Sequence, residues 1–239
     1  MFPPTSLPVP NELLLVTDQL ASPADFLLHL FLAAHLKQSK DAKCLILSLS
    51  ESATRWKVLA GKANINLPQY ISSGAVVIVN DLPRPSTQSI GDLRALFEVV
   101  EKTLSQWTAG TTPGLVIIDD LSVLEWMGFS AQEVWRFIRA LQSACRRISI
   151  PVIVRYHDTT PGEPDDLVRL LLPMCAHHME VLPLSSGRSG SVSGEIALYP
   201  SLSITNPTYK PIPRSSAIQY RLTDTSCVFF ERGTGNNVL

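Results

Sequence analysis

The chain has 239 residues, of which 45% are hydrophobic and only 17% are charged, and its formal net charge is −1. A net charge this close to zero provides no overall attraction to nucleic acid or to an anionic membrane surface. Because an average soluble domain carries roughly 25% charged residues, we expect other proteins to cover part of the surface of this chain.

The apolar stretches of the sequence do not predict a membrane protein. The most apolar stretch, residues 26–36, contains two histidines and is much shorter than the ~20 residues that span a bilayer. Residues 1–10 are rich in proline and have no basic residue, so we expect a flexible segment rather than a secretory signal. The four cysteines are widely scattered, which predicts reduced thiols in the cytoplasm or the nucleus.

Apolar strand patterns alternate with helical patterns along the first 184 residues. The predicted strands are residues 13–17, 44–49, 75–79, 115–118, 151–156 and 179–184, and the predicted helices are residues 24–38, 52–63, 90–107, 131–147 and 165–174. Ser22 and Pro23 resemble a helix start, with Ser as the cap and Pro at the first helical position. This alternation predicts an α/β fold with a mainly parallel, twisted sheet that is flanked by helices on both faces.

The pattern changes after residue 184. A Gly/Ser-rich turn (185–194) leads to a strand at 195–199, and a Pro-rich crossing (200–217) leads to a final pair of strands at 218–222 and 227–230. We expect these strands to extend the sheet in antiparallel fashion, so that residues 1–239 form a single domain. The final hairpin either covers its own sheet or pairs with a neighbouring chain, which makes its aromatic residues candidates for a partner interface. These residues are Tyr220, Phe229 and Phe230.

Half of a nucleotide site is recognisable in the middle of the chain. Asp119 and Asp120 follow the buried strand at 115–118, as the magnesium-binding Asp of a P-loop protein does. The phosphate loop itself is missing, because no Gly precedes Gly61 and the pair Gly61-Lys62 lies inside a helical pattern. We therefore expect no functional Walker A motif and no bound cofactor.

The first strand-to-helix loop, residues 17–23, is equally unsuited to phosphate. It contains no Gly, Lys or Arg, and it carries Asp18, which we expect to satisfy local backbone amides. Asp119 and Asp120 would bind magnesium only together with a nucleotide. The favoured interpretation is that these two residues are vestigial, and that they cap the following turn or form hydrogen bonds across strand ends.

Catalytic and metal-binding alternatives have less support from the sequence. His157 and Asp158 end the fifth strand, beside the expected position of Asp119, but no nucleophile motif accompanies them. The adjacent histidines 177 and 178 point to opposite faces of a strand, and no ligand pair at metal-binding spacing supports them or Cys175. We expect no metal.

The loops after the fourth and fifth strands are candidate nucleic-acid contacts, because the corresponding loops of ring-forming proteins with this kind of fold bind nucleic acid. Here the two loops, residues 124–129 and 158–166, have no Lys or Arg and carry five carboxylates. Trp126 and Phe129 could stack on bases, but we expect both to be packed. The better candidates for phosphate contacts are Arg188, Lys210 and Arg214.

Three segments together resemble the family of the sixth Elongator subunit. They are LVIIDDLS (115–122), PVIVRYHD (151–158) and YRLTDTSCVFFERG (220–233), and their order along the chain is also similar. The resemblance implies a RecA-like fold without nucleotide-binding motifs, which assembles with Elongator subunits four and five into a hetero-hexameric ring. It further implies that this ring binds transfer RNA and assists 5-carbonylmethyl modification of the wobble uridine, which a different Elongator subunit catalyses.

Two other hypotheses remain open at this point. The first is a recombinase-paralogue-like scaffold subunit in DNA repair, which also dispenses with the phosphate loop. The second is a hydrolase that uses His157 and Asp158, for which the sequence offers no nucleophile. The proteins that co-purify with the chain distinguish the first hypothesis from the Elongator subunit, and an activity of the purified protein that is lost with His157 would support the second.

Overall fold

A computed structural model describes residues 2–4, 7–80, 93–107, 112–160, 162–163, 165–187, 189–201 and 210–232. Its strands are β1 (Leu13–Gln19), β2 (Lys43–Leu47), β3 (Val76–Val79), β4 (Gly114–Ile118), β5 (Val152–Asp158), β6 (His177–Leu182), β7 (Gly194–Pro200), β8 (Ile218–Leu222) and β9 (Cys227–Phe230). Its helices are α1 (Asp25–Gln38), α2 (Ala53–Lys62), α3 (Leu67–Ser72), α4 (Leu93–Leu104), α5 (Ser122–Trp126), α6 (Ala131–Arg147) and α7 (Asp166–Leu171), and a 3-10 turn follows at Arg214–Ser216.

The described strands form one nine-stranded sheet in the order β3-β2-β4-β5-β1-β6-β7-β8-β9. Every pairing from β3 to β6 is parallel, whereas β7, β8 and β9 are antiparallel to their neighbours. The structure thus confirms the predicted fold class, a mainly parallel α/β sheet with antiparallel C-terminal strands, and it is consistent with a RecA-like fold.

Both faces of the sheet are buried, which is why its strands are continuous apolar runs. Along β1, Leu13 and Leu15 pack on one face together with helices α4 to α7. The alternate residues Leu14 and Val16 pack on the other face together with α1, α2 and α3. Because consecutive strand residues point to opposite faces, one short apolar segment contributes to both cores.

The strand order brings the carboxyl ends of β1, β4 and β5 together. β5 lies between β1 and β4, so the carboxyl ends of these three parallel strands are adjacent. The residues that follow or end them are Asp18, Asp119 and His157. Ligand sites of open α/β sheets lie at such edges, which makes this edge the candidate functional site.

Several boundaries differ from the predictions. Ser22 does not cap α1, because its hydroxyl donates to the carbonyl oxygen of Val181 at 3.4 Å and the helix begins at Asp25. The sixth strand begins at His177, two residues early, because its pairing with β1 starts there. Helix α3 was not predicted.

Two predicted segments are only partly described. The helix predicted from residue 90 is described from Leu93 onwards, and its first residues lie outside the described part. Of the Pro-rich crossing, residues 202–209 lie outside the described part, and Ile212 forms a bridge to Leu198 of β7. Among the first ten residues, Leu7 is buried in the core and the ring of Phe2 contacts that of Phe229.

Candidate functional site

The loop that joins β1 to α1 is organised around the buried carboxylate of Asp18. One oxygen, Oδ2, accepts a hydrogen bond from the backbone amide of Ala24 at 2.5 Å, immediately before α1. The other oxygen, Oδ1, lies 3.0 Å from Nδ1 of His157 on β5. Asp18 therefore fixes the path of the loop in which a P-loop protein would hold phosphate.

Arg155 of β5 supplies the cation at this position. Its Nε donates to Oδ2 of Asp18 at 2.8 Å, and its Nη1 lies 2.8 Å from Oδ1 of Asp25 and 3.1 Å from the carbonyl oxygen of Asp119. Asp18 and Arg155 are only 1% and 6% exposed. The guanidinium thus links the ends of β1, β4 and β5.

Arg155 is the cation that faces two carboxylates in this network, Asp18 and Asp25. Burial raises the pKa of Asp18 above its ordinary value, whereas the guanidinium of Arg155 opposes that rise. A triphosphate would have to displace Asp18 and Asp25 from Arg155, and its charge would meet both carboxylates. The loop also offers no glycine whose backbone could turn its amides towards a phosphate.

The carboxylate of Asp119 is used by the neighbouring loop. It accepts hydrogen bonds from the backbone amides of Leu49, Ser50 and Glu51 at 2.7, 3.1 and 3.0 Å. The hydroxyl of Ser48 lies 3.0 Å from its Oδ2. Burial raises the pKa of Asp119, and the three amides counteract this. Asp119 thus holds the β2–α2 loop, a hydrogen-bonding role across strand ends.

Asp120 forms hydrogen bonds within the segment that follows β4. Its Oδ1 accepts hydrogen bonds from the backbone amide of Ser122 at 3.0 Å and from the hydroxyl of the same residue at 2.7 Å. Asp120 therefore organises the turn into α5, as residues of this type do at helix starts. Both oxygens of Asp119 and Oδ1 of Asp120 are thus engaged by protein groups.

His157 was expected at the end of the fifth strand, beside Asp119, and β5 does pair with β4, the strand that Asp119 follows. The direct side-chain contact of His157 is on the other side, with Asp18 of β1, with which it pairs in register. Asp158 accepts a hydrogen bond from the backbone amide of Thr160 at 3.0 Å. Both residues of the candidate hydrolase pair thus have local hydrogen-bonding roles within the described structure.

The two histidines at the start of β6 have different environments. Nε2 of His178 lies 2.7 Å from the hydroxyl oxygen of Thr17, and Nδ1 of His177 lies 3.4 Å from a carboxylate oxygen of Glu12. Burial lowers the pKa of His178 to about 4. Within the described residues, no group of three or more His, Cys, Asp or Glu side chains is close enough to hold a metal ion.

The loops after β4 and β5 correct one further expectation. Phe129 is buried, as expected, but Trp126 is 64% exposed. Trp126 is the last residue of α5, a five-residue helix whose buried residues are Ser122 and Leu124. Beside it, the hydroxyl of Tyr156 lies 2.9 Å from both Glu125 and Asp165. This edge of the sheet is therefore acidic, and its carboxylates are engaged with protein groups.

The predicted RNA contacts have unequal positions. Arg188 lies outside the described residues, and Lys210 is exposed. Arg214 is 65% exposed at its side chain, but it pairs with both carboxylate oxygens of Glu180. A phosphate at Arg214 would have to compete with that carboxylate.

The predicted partner interface needs correction at Tyr220. This residue is 1% exposed, and its ring stacks on Phe26 of α1 with a centroid distance of 4.6 Å. It therefore belongs to the chain's own core and cannot contact a neighbour in this conformation. Phe229 and Phe230 are partly exposed on β9, which is the edge strand of the sheet.

Arg155, the centre of the site, was not among the residues predicted from the sequence. A signal was present, because the segment PVIVRYHD places one Arg directly after four apolar residues of a buried strand. A buried charge requires a partner, and the nearby carboxylates at the ends of the neighbouring parallel strands were the available ones.

No helix in the described part of the chain is long and apolar enough to cross a membrane.

Comparison of the sequence relates the chain to known proteins. The family model described as Elongation complex protein 6 matches residues 84–224, which is more than half of the chain. Elongator complex protein 6 of Rattus norvegicus is 25% identical over 239 residues, covering 90% of this chain and 88% of the Rattus norvegicus protein. The proteins of the same name from Danio rerio and Homo sapiens are each 25% identical as well. The Danio rerio match covers 96% of this chain and 94% of that protein, and the Homo sapiens match covers 90% and 88%. The chain therefore belongs to the Elongation complex protein 6 family.

Proposed function

We propose that this chain is a non-catalytic subunit of the Elongator complex. It assembles with Elongator subunits four and five into a hetero-hexameric ring of RecA-like folds, and it meets the remaining Elongator subunits through that ring. The ring binds transfer RNA and supports 5-carbonylmethyl modification of the wobble uridine, while a different subunit performs the chemistry. The chain acts as a single RecA-like domain in the cytoplasm, and also in the nucleus.

The observation that carries the non-catalytic role is the contact between Arg155 and Asp18. This buried ion pair, 2.8 Å long, lies at the β1–α1 loop, the kind of loop in which a P-loop protein holds phosphate. Asp119 follows β4 at the position of a magnesium-binding Asp, and its carboxylate accepts hydrogen bonds from three backbone amides. A fold that lacks both halves of nucleotide chemistry is useful through the surfaces it presents.

The assembly role is supported by the family and by composition. The matched relatives bear the name Elongator complex protein 6, and the alignments cover about nine tenths of this chain. Only 17% of the residues are charged, which suits a chain that hides surface against partners. The matched relatives give no support to the DNA-repair scaffold.

The first test is assembly. The full chain is co-expressed with subunits four and five from the same organism, and the purified complex is weighed by native mass spectrometry. We expect stoichiometric recovery of all three proteins in a hetero-hexamer. Recovery of DNA-repair factors instead, with normal wobble-uridine modification in cells that lack the chain, would overturn the proposed function.

The second test is nucleotide binding. Calorimetric titration of the purified chain with ATP and magnesium is expected to give no binding heat. Micromolar affinity that depends on magnesium would contradict the non-catalytic role. The matched control is the variant Asp120→Asn, which removes one vestigial carboxylate charge and is expected to leave the flat titration unchanged.

A further inference from the structure

The solvent-facing side of α6 is unusually cationic. Beyond Glu133 in its first turn, the helix carries four arginines and no carboxylate, and all four are exposed. They are Arg136, Arg139, Arg146 and Arg147. Protein surfaces usually intersperse charges of both signs, and this chain has a net charge of only −1. The positive charge is therefore concentrated locally.

Three of these arginines line a cavity of about 830 Å³ at the amino ends of β1 and β6, at the opposite end of the parallel strands from Asp18 and Asp119. The first residues of β1, the segment before β6 and the second half of α6 form its walls. Arg139, Arg146 and Arg147 contribute the positive charge, and Glu12 is the one carboxylate among the described lining residues. That carboxylate faces His177 at 3.4 Å. The cavity is thus open, polar and net positive.

The described contacts of these arginines leave donors available. The guanidinium of Arg139 lies over the ring of Trp135 at 4.6 Å, an arrangement that orients the plane without using its N–H groups. Arg146 donates only its Nε, to the carbonyl oxygen of Asn11 at 3.2 Å. Arg147 lies 3.4 Å from Glu101, and both side chains are more than half exposed, so this pair is weak.

Stabilisation of the helix end does not explain the whole set. Arg146 and Arg147 are in the last turn of α6 and favour its dipole. Arg139 is two turns earlier, about 10.5 Å from Arg146 along the axis, where the dipole has little effect. A helix face that needed only solubility would not require four arginines and no carboxylate after its first turn.

We infer that the α6 arginine face, defined as Arg136, Arg139, Arg146 and Arg147 with the adjoining cavity, binds the phosphodiester backbone of RNA. The guanidinium plane matches phosphate geometry with two parallel hydrogen bonds, and arginine stacked on an aromatic ring is well suited to nucleic-acid recognition. Because Arg139 and Arg146 are two turns apart, they reach different phosphates. Such contacts carry affinity rather than sequence preference.

This inference rests on the proposed function, because it names the surface with which this subunit contributes to RNA binding by the ring. It also differs from the sequence-based expectation. The loops after β4 and β5 are acidic, and Arg214 is occupied by Glu180. The α6 arginine face lies at the other end of the parallel strands, where three arginines converge on one cavity.

The test uses the assembled complex with subunits four and five and a fluorescently labelled transfer-RNA transcript. Anisotropy titrations across a salt series compare the wild type with the double variant Arg139→Gln/Arg146→Gln. We expect weaker binding, with the slope of log affinity against log salt reduced by about one for each arginine removed. The charge-preserving variant Arg139→Lys/Arg146→Lys should keep most of the slope, because the slope reports charge.

The matched control is Lys57→Gln/Lys62→Gln, which removes two exposed positive charges from α2 on the opposite face of the sheet. It is expected to bind RNA as the wild type does. Equal affinity and slope for the arginine variant and the wild type would overturn the inference and leave the proposed function intact. Absence of RNA binding by the wild-type complex would instead overturn the proposed function.

One result would assign the face to a different ligand. If the Arg139→Gln/Arg146→Gln chain no longer co-purifies with subunits four and five while the lysine control does, the arginines bind an acidic protein surface and the RNA assignment is wrong. Urea denaturation of each chain separates this result from loss of folding. We expect only a small shift of the unfolding midpoint, because all four substituted side chains are exposed and the contacts of Arg139 with Trp135 and of Arg146 with Asn11 lie at the surface.

Discussion

The Nε atom of Arg155 lies 2.8 Å from Oδ2 of Asp18, although the two residues are 137 positions apart in the chain. Both side chains are almost completely buried. The contact joins β5 to the loop after β1, and the second arm of the guanidinium reaches Asp25 in the first turn of α1. One side chain therefore replaces, in structural terms, the ligand that would connect these elements in a nucleotide-binding relative.

The first prediction concerns this contact. Substitution of Arg155 by Met leaves the carboxylate of Asp18 buried without its cation, and removal of one member of a buried pair costs about 3–5 kcal/mol of folding free energy. The control Arg55→Gln breaks the pair between Arg55 of α2 and Glu51 before the helix, whose side chains are 56% and 24% exposed, and a change below about 1 kcal/mol is expected there. Urea denaturation measures both. Similar losses for the two variants would mean that Arg155 is not a structural cation.

The second prediction separates the structural role of Asp119 from magnesium binding. Substitution by Ala leaves three backbone amides of the β2–α2 loop without their acceptor, of which that of Leu49 is buried and the other two are partly buried. An unsatisfied buried donor costs about 1–3 kcal/mol, so we expect a loss of about that size in urea denaturation. Magnesium and ATP should leave the melting temperature of the wild type unchanged. A magnesium-dependent rise in that temperature which Asp119→Ala abolishes would assign Asp119 to a metal instead.

The fold was largely predictable because its signals are local. Helix α6 was predicted from residue 131 to 147 and has those bounds, since its apolar residues recur at helical spacing and Ser130 with Glu133 forms a capping box. The buried parallel strands are short apolar runs that flanking helices separate, which determines the layer arrangement. Helix α3 was missed because its six residues, with Pro68 near the start, are too few to show a period.

The candidate site was less predictable because its contacts are distant in sequence. The alternating pattern of β8 indicates that Tyr220 and its neighbours face opposite sides, but not that Phe26, almost 200 residues earlier, covers the tyrosine ring. Likewise, the residues next to Arg155 in the chain do not identify Asp18 as its partner. Sequence periodicity identifies which face a side chain occupies, whereas the identity of its partner depends on strand order.

The third prediction concerns the close approach at Gly194, the first residue of β7. A Cβ atom there would lie 2.7 Å from the carbonyl oxygen of Leu182 and 2.7 Å from the hydroxyl of Tyr220. Gly194→Ala should therefore destabilise the fold by about 1–3 kcal/mol, the usual cost of overpacking. At Gly190, a Cβ atom would meet nothing within 4 Å. Gly190→Ala is expected to change the melting temperature little, and a comparable loss at both glycines would refute the packing at β7.

The fourth prediction is a pH dependence of stability. Burial lowers the pKa of His178 to about 4, with Glu180 opposing and Arg214 reinforcing the effect, whereas an unfolded histidine titrates near 6.5. Below that pH the unfolded chain takes up the proton first, so the stability contributed by neutral His178 is present at pH 7 and is lost as pH falls towards 4. The loss at pH 5 is at most about 2 kcal/mol.

The variant His178→Gln tests this directly, because Gln does not titrate and its amide can still reach the hydroxyl of Thr17. Unfolding free energies at pH 7 and pH 5 should differ less for the variant than for the wild type. Burial also lowers the pKa of His29 to about 4. Because His29 is present in both proteins, it contributes the same pH dependence of stability to each, and the difference between them reports His178. Identical pH profiles would show that His178 is already protonated in the folded chain at pH 5, and that the cost of charging it beside Thr17 is small.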